Sequence, residues 1–306
     1  MIQAQSLPHI ALPRLGSQRD WLWRGWQIRY TVARSPHDTL PLLLLHGFGS
    51  ALTQWHENIL PLSQAHPVYA MDLIGFGVSE KAATTYRVGL WVDQVYEFWR
   101  VFIRKPIVLV GHSLGALVAL SAAVAHPEMV DRLVLLTLPA ARQEILPGWL
   151  QSGIGSIEGA LTTPLLIRPL FRLIRRPGVI RSVLRKIYVN QERVTETLVE
   201  NFLQPGFDQG ADRAFCRLAQ ARTDTDFSRA TQDLIKEVNV PILLLWGSDD
   251  RVIPIDWGKR IDALTGHQVK LVEIPNAGHC LYDESAEPVN RAILDWLAAE
   301  NGNKAG

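Results

Sequence analysis

Short, largely apolar runs recur along the chain at Pro41–Leu45, Val68–Met71, Ile107–Val110, Leu133–Leu138, Val240–Trp246 and Val269–Ile274, each ending close to a Gly, Asp, His or Pro. A run that is apolar at most positions has no continuous water-facing side, so these segments are expected as parallel strands buried on both faces of a sheet. Between them the period changes. Val88, Trp91, Val92, Val95, Phe98, Trp99 and Phe102 are spaced so that they paint one face of a helix. Strands alternating with helices predict an α/β fold built on a doubly wound, mostly parallel sheet. Trp21 to Arg34, with Arg24-Gly25 at a turn position, predicts antiparallel edge strands ahead of the parallel part.

The alternation stops after Leu138 and resumes near Val240. The stretch between is rich in helix formers and is broken by Pro147, Pro164, Pro169, Pro177 and Pro205. Residues 139–234 are therefore expected as a helical cap, inserted into a core domain made of residues 1–138 and 235–306. With 306 residues, 47% of them hydrophobic and 20% charged, the chain can bury a full core and still carry this insertion.

Charge narrows the partners. A net charge of +1 gives no global attraction to nucleic acid. Cys216 and Cys280 supply neither a disulfide framework nor metal-ligand spacing, so a reducing, intracellular setting is the expectation. Met1 to Gln18 lacks a continuous apolar stretch of the signal-peptide kind and reads as a surface arm. No apolar run approaches the roughly 20 residues needed to span a bilayer.

The chemistry is carried by Gly111-His112-Ser113-Leu114-Gly115, which follows the apolar run Ile107–Val110 and leads into the small-residue stretch Ala116 to Ala125. A serine at the tip of a strand–turn–helix holds its hydroxyl above the carboxyl edge of the sheet, and glycines flank it because side chains there would collide with neighbouring elements. Ser113 is the candidate nucleophile. A serine hydroxyl needs a base, and the base needs a carboxylate to fix its tautomer. Both follow in order. Gly247-Ser248-Asp249-Asp250-Arg251 comes after one predicted strand and Pro275-Asn276-Ala277-Gly278-His279 after the next, so both groups sit at strand carboxyl ends. His279 is the candidate base. Asp250 is favoured as its partner, with neighbouring Asp249 bracing the loop. Leu114, at a helix start, offers one backbone N–H to a developing oxyanion. The second is assigned to Phe48, in the loop His46-Gly47-Phe48-Gly49-Ser50, although His46-Gly47 also reads as a plain turn. No metal and no organic cofactor is required.

These residues, together with Asp72-Leu73-Ile74-Gly75-Phe76-Gly77-Val78-Ser79, resemble the α/β-hydrolase superfamily across Trp21 to Leu297. The resemblance implies an α/β-hydrolase fold with an inserted cap and a serine mechanism; it also implies that Asp72 belongs to a structural turn. Serine at the elbow excludes the dehalogenases and epoxide hydrolases of the superfamily, which use aspartate there. Gln54-Trp55-His56-Glu57-Asn58 followed by Val68-Tyr69-Ala70-Met71-Asp72-Leu73 is similar to the branch that includes pheophytinase and chlorophyll dephytylase. Those enzymes cleave a phytyl ester. The chain departs from that branch at His112 and Ala116, where asparagine and a further glycine are usual.

The expected substrate is thus an apolar carboxylic ester, with the phytyl ester of chlorophyll as the specific candidate. Two rivals stand beside it: a carbon–carbon bond hydrolase of ring-cleavage diketones using the same triad, and a ligand receptor on a hydrolase scaffold. Residues 165–188 carry Arg168, Arg172, Arg175, Arg176, Arg181, Arg185 and Lys186 and no acid. A helix starting near Pro169 places Arg168, Arg172, Arg175 and Arg176 on one side, with Leu166, Leu170, Leu173 and Ile174 largely on the other. After Pro177-Gly178 a second apolar set follows at Val179, Ile180, Val183, Leu184 and Ile187. Such a pair fits either an anionic membrane surface, which would make the protein peripherally membrane-associated, or a lid with solvated arginines.

Overall fold

A computed structural model describes residues 15–141, 144, 164–222, 224–266 and 269–304. Residues 1–14 of the expected arm, residues 142, 143 and 145–163 of the expected cap, and the side chains of Leu165, Leu166 and Arg168 lie outside that description.

One sheet organises the chain: β1 (Ser17–Trp23), β2 (Trp26–Ala33), β3 (Leu42–Leu45), β4 (Val68–Met71), β5 (Ile107–His112), β6 (Val130–Leu136), β7 (Ile242–Gly247) and β8 (Val269–Ile274). Its spatial order is β1-β2-β4-β3-β5-β6-β7-β8. β1 and β2 are antiparallel and joined by Arg24-Gly25, both at positive φ (51° and 86°), as a two-residue hairpin turn demands. β2 meets β4 antiparallel, and every later pairing is parallel.

The helices are α1 (Ile59–Ser63), α2 (Val88–Phe102), α3 (Leu114–Ala125), α4 (Pro164–Ile174), α5 (Pro177–Ile187), α6 (Glu196–Leu203), α7 (Ala211–Ala221), α8 (Thr231–Glu237), α9 (Ile255–Thr265), α10 (Leu281–Glu284) and α11 (Ala286–Lys304). Strand side chains alternate between two cores. Leu43, Leu45, Leu109 and Leu244 meet α2, α3, α8 and α9 on one face. Leu42, Leu44, Val110 and Leu245 meet α1 and α11 on the other. The fully buried Leu42–Leu45 run is what a strand covered on both sides requires.

Two strand boundaries differ from the apolar pattern for physical reasons. β6 begins at Val130, before the apolar run, because buried Arg132 finds partners: its guanidinium donates to the Leu297 carbonyl at 3.2 Å and to Asn301 Oδ1 at 2.9 Å. β7 begins only at Ile242, since Pro241 has no N–H for the ladder. In the α4–α5 region, α4 starts at Pro164 and contains Pro169 rather than beginning near it. Among its described side chains Ile167 and Phe171 are buried, Phe171 stacking on Phe215 of α7 with ring centroids 4.8 Å apart, whereas Leu170 and Leu173 face outward.

Candidate active site

The turn between β5 and α3 is fixed by atoms that leave no room. A Cβ at Gly111 would lie 2.2 Å from the Gly115 carbonyl oxygen, and one at Gly115 would lie 2.4 Å from that of Leu45. Glycines at both positions therefore let α3 start directly against the ends of β5 and β3. Ser113 sits between them at φ 50°, ψ −114°, a region that costs a non-glycine residue about 1–3 kcal/mol. Its N–H donates to the Leu136 carbonyl of β6 at 2.9 Å, which ties the strained residue to the sheet.

Asp250 and His279, from the loops after β7 and β8, are brought together. Asp250 Oδ2 lies 2.9 Å from His279 Nδ1. Its other oxygen accepts the N–H groups of Val252 and Ile253, at 2.8 and 2.9 Å, so the buried carboxylate has partners on both sides. This arrangement puts the proton on His279 Nδ1 and leaves Nε2 as the lone-pair nitrogen. Asp249 faces elsewhere: its carboxylate accepts the Ser248 hydroxyl at 2.6 Å, and that hydroxyl accepts the Asn276 N–H at 3.0 Å, bracing the loop.

Ser113, His279, Phe48 and Leu114 line one cavity of about 880 Å³. No hydrogen bond joins Ser113 Oγ to His279, a contact that in unliganded hydrolases often tightens only with substrate bound. Leu114 is the first residue of α3, where an N–H has no intrahelical acceptor. Phe48 N–H has no acceptor among the described residues. Further walls are mostly apolar, with Leu184 and Ile187 from α5, Phe202 from α6, and Phe227 and Trp257, while Glu144, Arg222 and Arg260 add charge to the lining.

Three positions matter to this geometry beyond the predicted site residues. Buried His112 donates from Nε2 to the His279 carbonyl at 2.9 Å, and burial holds its pKa well below the ordinary histidine value, so it stays a neutral strut. A Cβ at Gly47 would come within 2.8 Å of His112 Nδ1, so the loop carrying Phe48 passes directly over this ring. Glu284, five residues after His279, accepts the N–H of Gly278 on Oε1 at 3.1 Å and those of Val189 and Asn190 on Oε2 at 2.6 and 3.1 Å. Burial raises its pKa even against these three donors. With His279 N–H donating to the Ile187 carbonyl at 3.3 Å, the end of α5 and the histidine loop are pinned to each other. Only the adjacency of His112 to Ser113 marks its position in the sequence; Glu284 reads there as one more helix-start acid.

Asp72 is structural, as the motif around it implies. Its carboxylate accepts Leu52 N–H at 2.6 Å and Val78 N–H at 2.7 Å. His46 Nε2 accepts Leu73 N–H at 3.0 Å while burial lowers the pKa of its ring. Among the described residues, no group of three or more His, Cys, Asp or Glu is placed to hold a metal ion, and no helix is long and apolar enough to cross a membrane.

The alpha/beta hydrolase family model matches residues 42–292. An uncharacterized hydrolase, YugF, of Bacillus subtilis is 29% identical over 260 residues, covering 84% of this chain and 89% of that protein. Chloroplastic pheophytinase of Arabidopsis thaliana is 26% identical over 302 residues, covering 85% of this chain and 61% of its own length. A 2-hydroxy-6-oxo-2,4-heptadienoate hydrolase of Pseudomonas putida is 27% identical over 271 residues, covering 85% and 90%. Among solved structures, a serine hydrolase involved in carbazole degradation superposes with a TM-score of 0.75 at 20% identity, over 92% of this chain and 99% of that one.

Proposed function

Because the chain belongs to the alpha/beta hydrolase family, we propose that it is a serine hydrolase of bulky apolar carboxylic esters. In this reading Ser113 Oγ attacks the ester carbonyl while His279 Nε2 takes its proton, and the amides of Phe48 and Leu114 hold the oxyanion. The tetrahedral intermediate collapses with proton return from His279 to the departing alcohol, leaving an acyl-serine. Water, deprotonated by the same nitrogen, then releases the acid. Asp250 keeps the proton on Nδ1 and stabilises the imidazolium formed in each half.

The observation that carries this reading is the Asp250–His279 pair, at 2.9 Å, whose histidine lines the same cavity as the strained Ser113. The apolar walls and the volume of about 880 Å³ favour a large hydrophobic ester over a small polar one. Similarity to pheophytinase supports the phytyl ester of chlorophyll as the specific substrate. The test is a side-by-side assay on short p-nitrophenyl esters, long-chain esters and chlorophyll. The expected order of kcat/KM rises with the apolar bulk of the substrate. A diketone cleaved to an acid and an enol, with esters untouched, would instead support carbon–carbon hydrolysis, the activity that the name of the Pseudomonas putida relative suggests.

A further inference from the structure

We propose that α4 and α5 form a docking surface for an anionic lipid bilayer. The structure divides the basic residues of this region into two sets. Arg175 is engaged: it donates to the Gly206 carbonyl at 2.9 Å and stacks over Phe171 and Phe207, 5.1 and 4.9 Å from the ring centroids. Arg181 is engaged with Glu196. Arg172, Arg176, Arg185 and Lys186 are exposed and form no ion pair among the described residues.

The apolar residues divide as well. Ile167, Phe171 and Leu184 are buried, whereas Leu170, Leu173 and Val183 are 49, 45 and 47% exposed, and Phe207, stacked under Arg175, is 57% exposed. On α4 the outward face therefore carries two leucines beside Arg172, with Arg176 just past the helix end; α5 adds Val183 beside Arg185 and Lys186. Leu170 and Leu173 are left without an apolar cover, and the four cations without a counter-charge among the described residues. A bilayer satisfies both: acyl chains take the leucines, and anionic headgroups take the cations. The same α5 presents Leu184 and Ile187 to the cavity, so docking would set the cavity wall against the phase in which an apolar ester is dissolved.

Docking does not depend on turnover, so it is tested separately: flotation of the full chain with phosphatidylglycerol vesicles, with phosphatidylcholine vesicles as the control. Binding is expected on the anionic vesicles, falling as salt rises, and not on the zwitterionic ones. Arg172→Glu, Arg176→Glu, Arg185→Glu and Lys186→Glu combined should weaken the partition coefficient by about 10²- to 10³-fold, at roughly fivefold per cation. Hydrolysis of a water-soluble p-nitrophenyl ester should be unchanged and serves as the folding control. Leu170→Ser with Leu173→Ser, which leaves all four cations in place, should also weaken binding. No flotation of the unmodified chain on phosphatidylglycerol, or binding that survives the leucine pair, would overturn the proposal; survival would mark a site for polyanions instead.

Discussion

The turn at Ser113 and the helices α4–α5 lie within one chain under opposite constraints. At the turn, backbone meets backbone: the two flanking glycines face carbonyl oxygens 2.2 and 2.4 Å from where a Cβ would sit, so the position of the serine follows from covalent geometry. In α4 and α5 the contacts are between side chains. Ile167 and Phe171 pack inward while Leu170 and Leu173, of the same chemical kind, are left in water. The first region is determined by what cannot fit. The second is determined by which of two similar faces finds a partner.

Glu284 ties the segment just after α5 to the loop that carries His279, and removing its charge has the largest expected effect on how the helices and the site are held together. Glu284→Gln leaves one acceptor oxygen for N–H groups that now occupy two, so either Gly278 or the Val189–Asn190 pair loses its bond. Stability to urea should fall by about 1–3 kcal/mol. The kcat for a p-nitrophenyl ester should fall with little change in KM, because Gly278 adjoins His279. Unchanged stability and unchanged kcat would show that α5 and the histidine loop are held independently.

His112 gives a smaller and more selective effect. Its folded-state pKa lies below the ordinary 6.5, so its contribution to stability is fully present above pH 6.5. As the pH falls below 6.5 the unfolded chain takes up a proton that the folded chain refuses, and stability is lost at up to about 1.4 kcal/mol per pH unit. His112→Asn keeps an amide N–H for the His279 carbonyl and removes the titration. The acid limb of the stability profile, followed by thermal unfolding at stepped pH, should become shallower but not flat, since His46 is also buried and lowered. An identical limb would mean that His112 takes up its proton as readily in the folded chain as in the unfolded one.

The same contrast explains what could be read from the amino-acid order. The parallel strands were legible because Leu42–Leu45 and Ile107–Val110 are apolar at every position, and the elbow because its glycines answer to local backbone geometry. The extension of β6 to Val130 was hidden by Asp131-Arg132, since a buried arginine is visible only when its acceptors in α11 are known. In α4 the helical period separates Leu170 and Leu173 from Ile167 and Phe171, yet which face meets α7 depends on Phe215, far along the chain. Glu284 was silent for the same reason: two of its three donors come from a segment almost a hundred positions earlier.

In the proposed reaction Ser113 forms a covalent acyl-enzyme with His279 as its base. Treating the protein with an alkyl fluorophosphonate and mapping the adduct by mass spectrometry tests this directly. A single stoichiometric adduct on Ser113 is expected, with loss of ester turnover in proportion to labelling. Neither labelling nor turnover should be detectable in Ser113→Ala, where kcat falls by about 10⁴- to 10⁶-fold. An adduct on another residue, or ester turnover that persists in Ser113→Ala, would contradict the account.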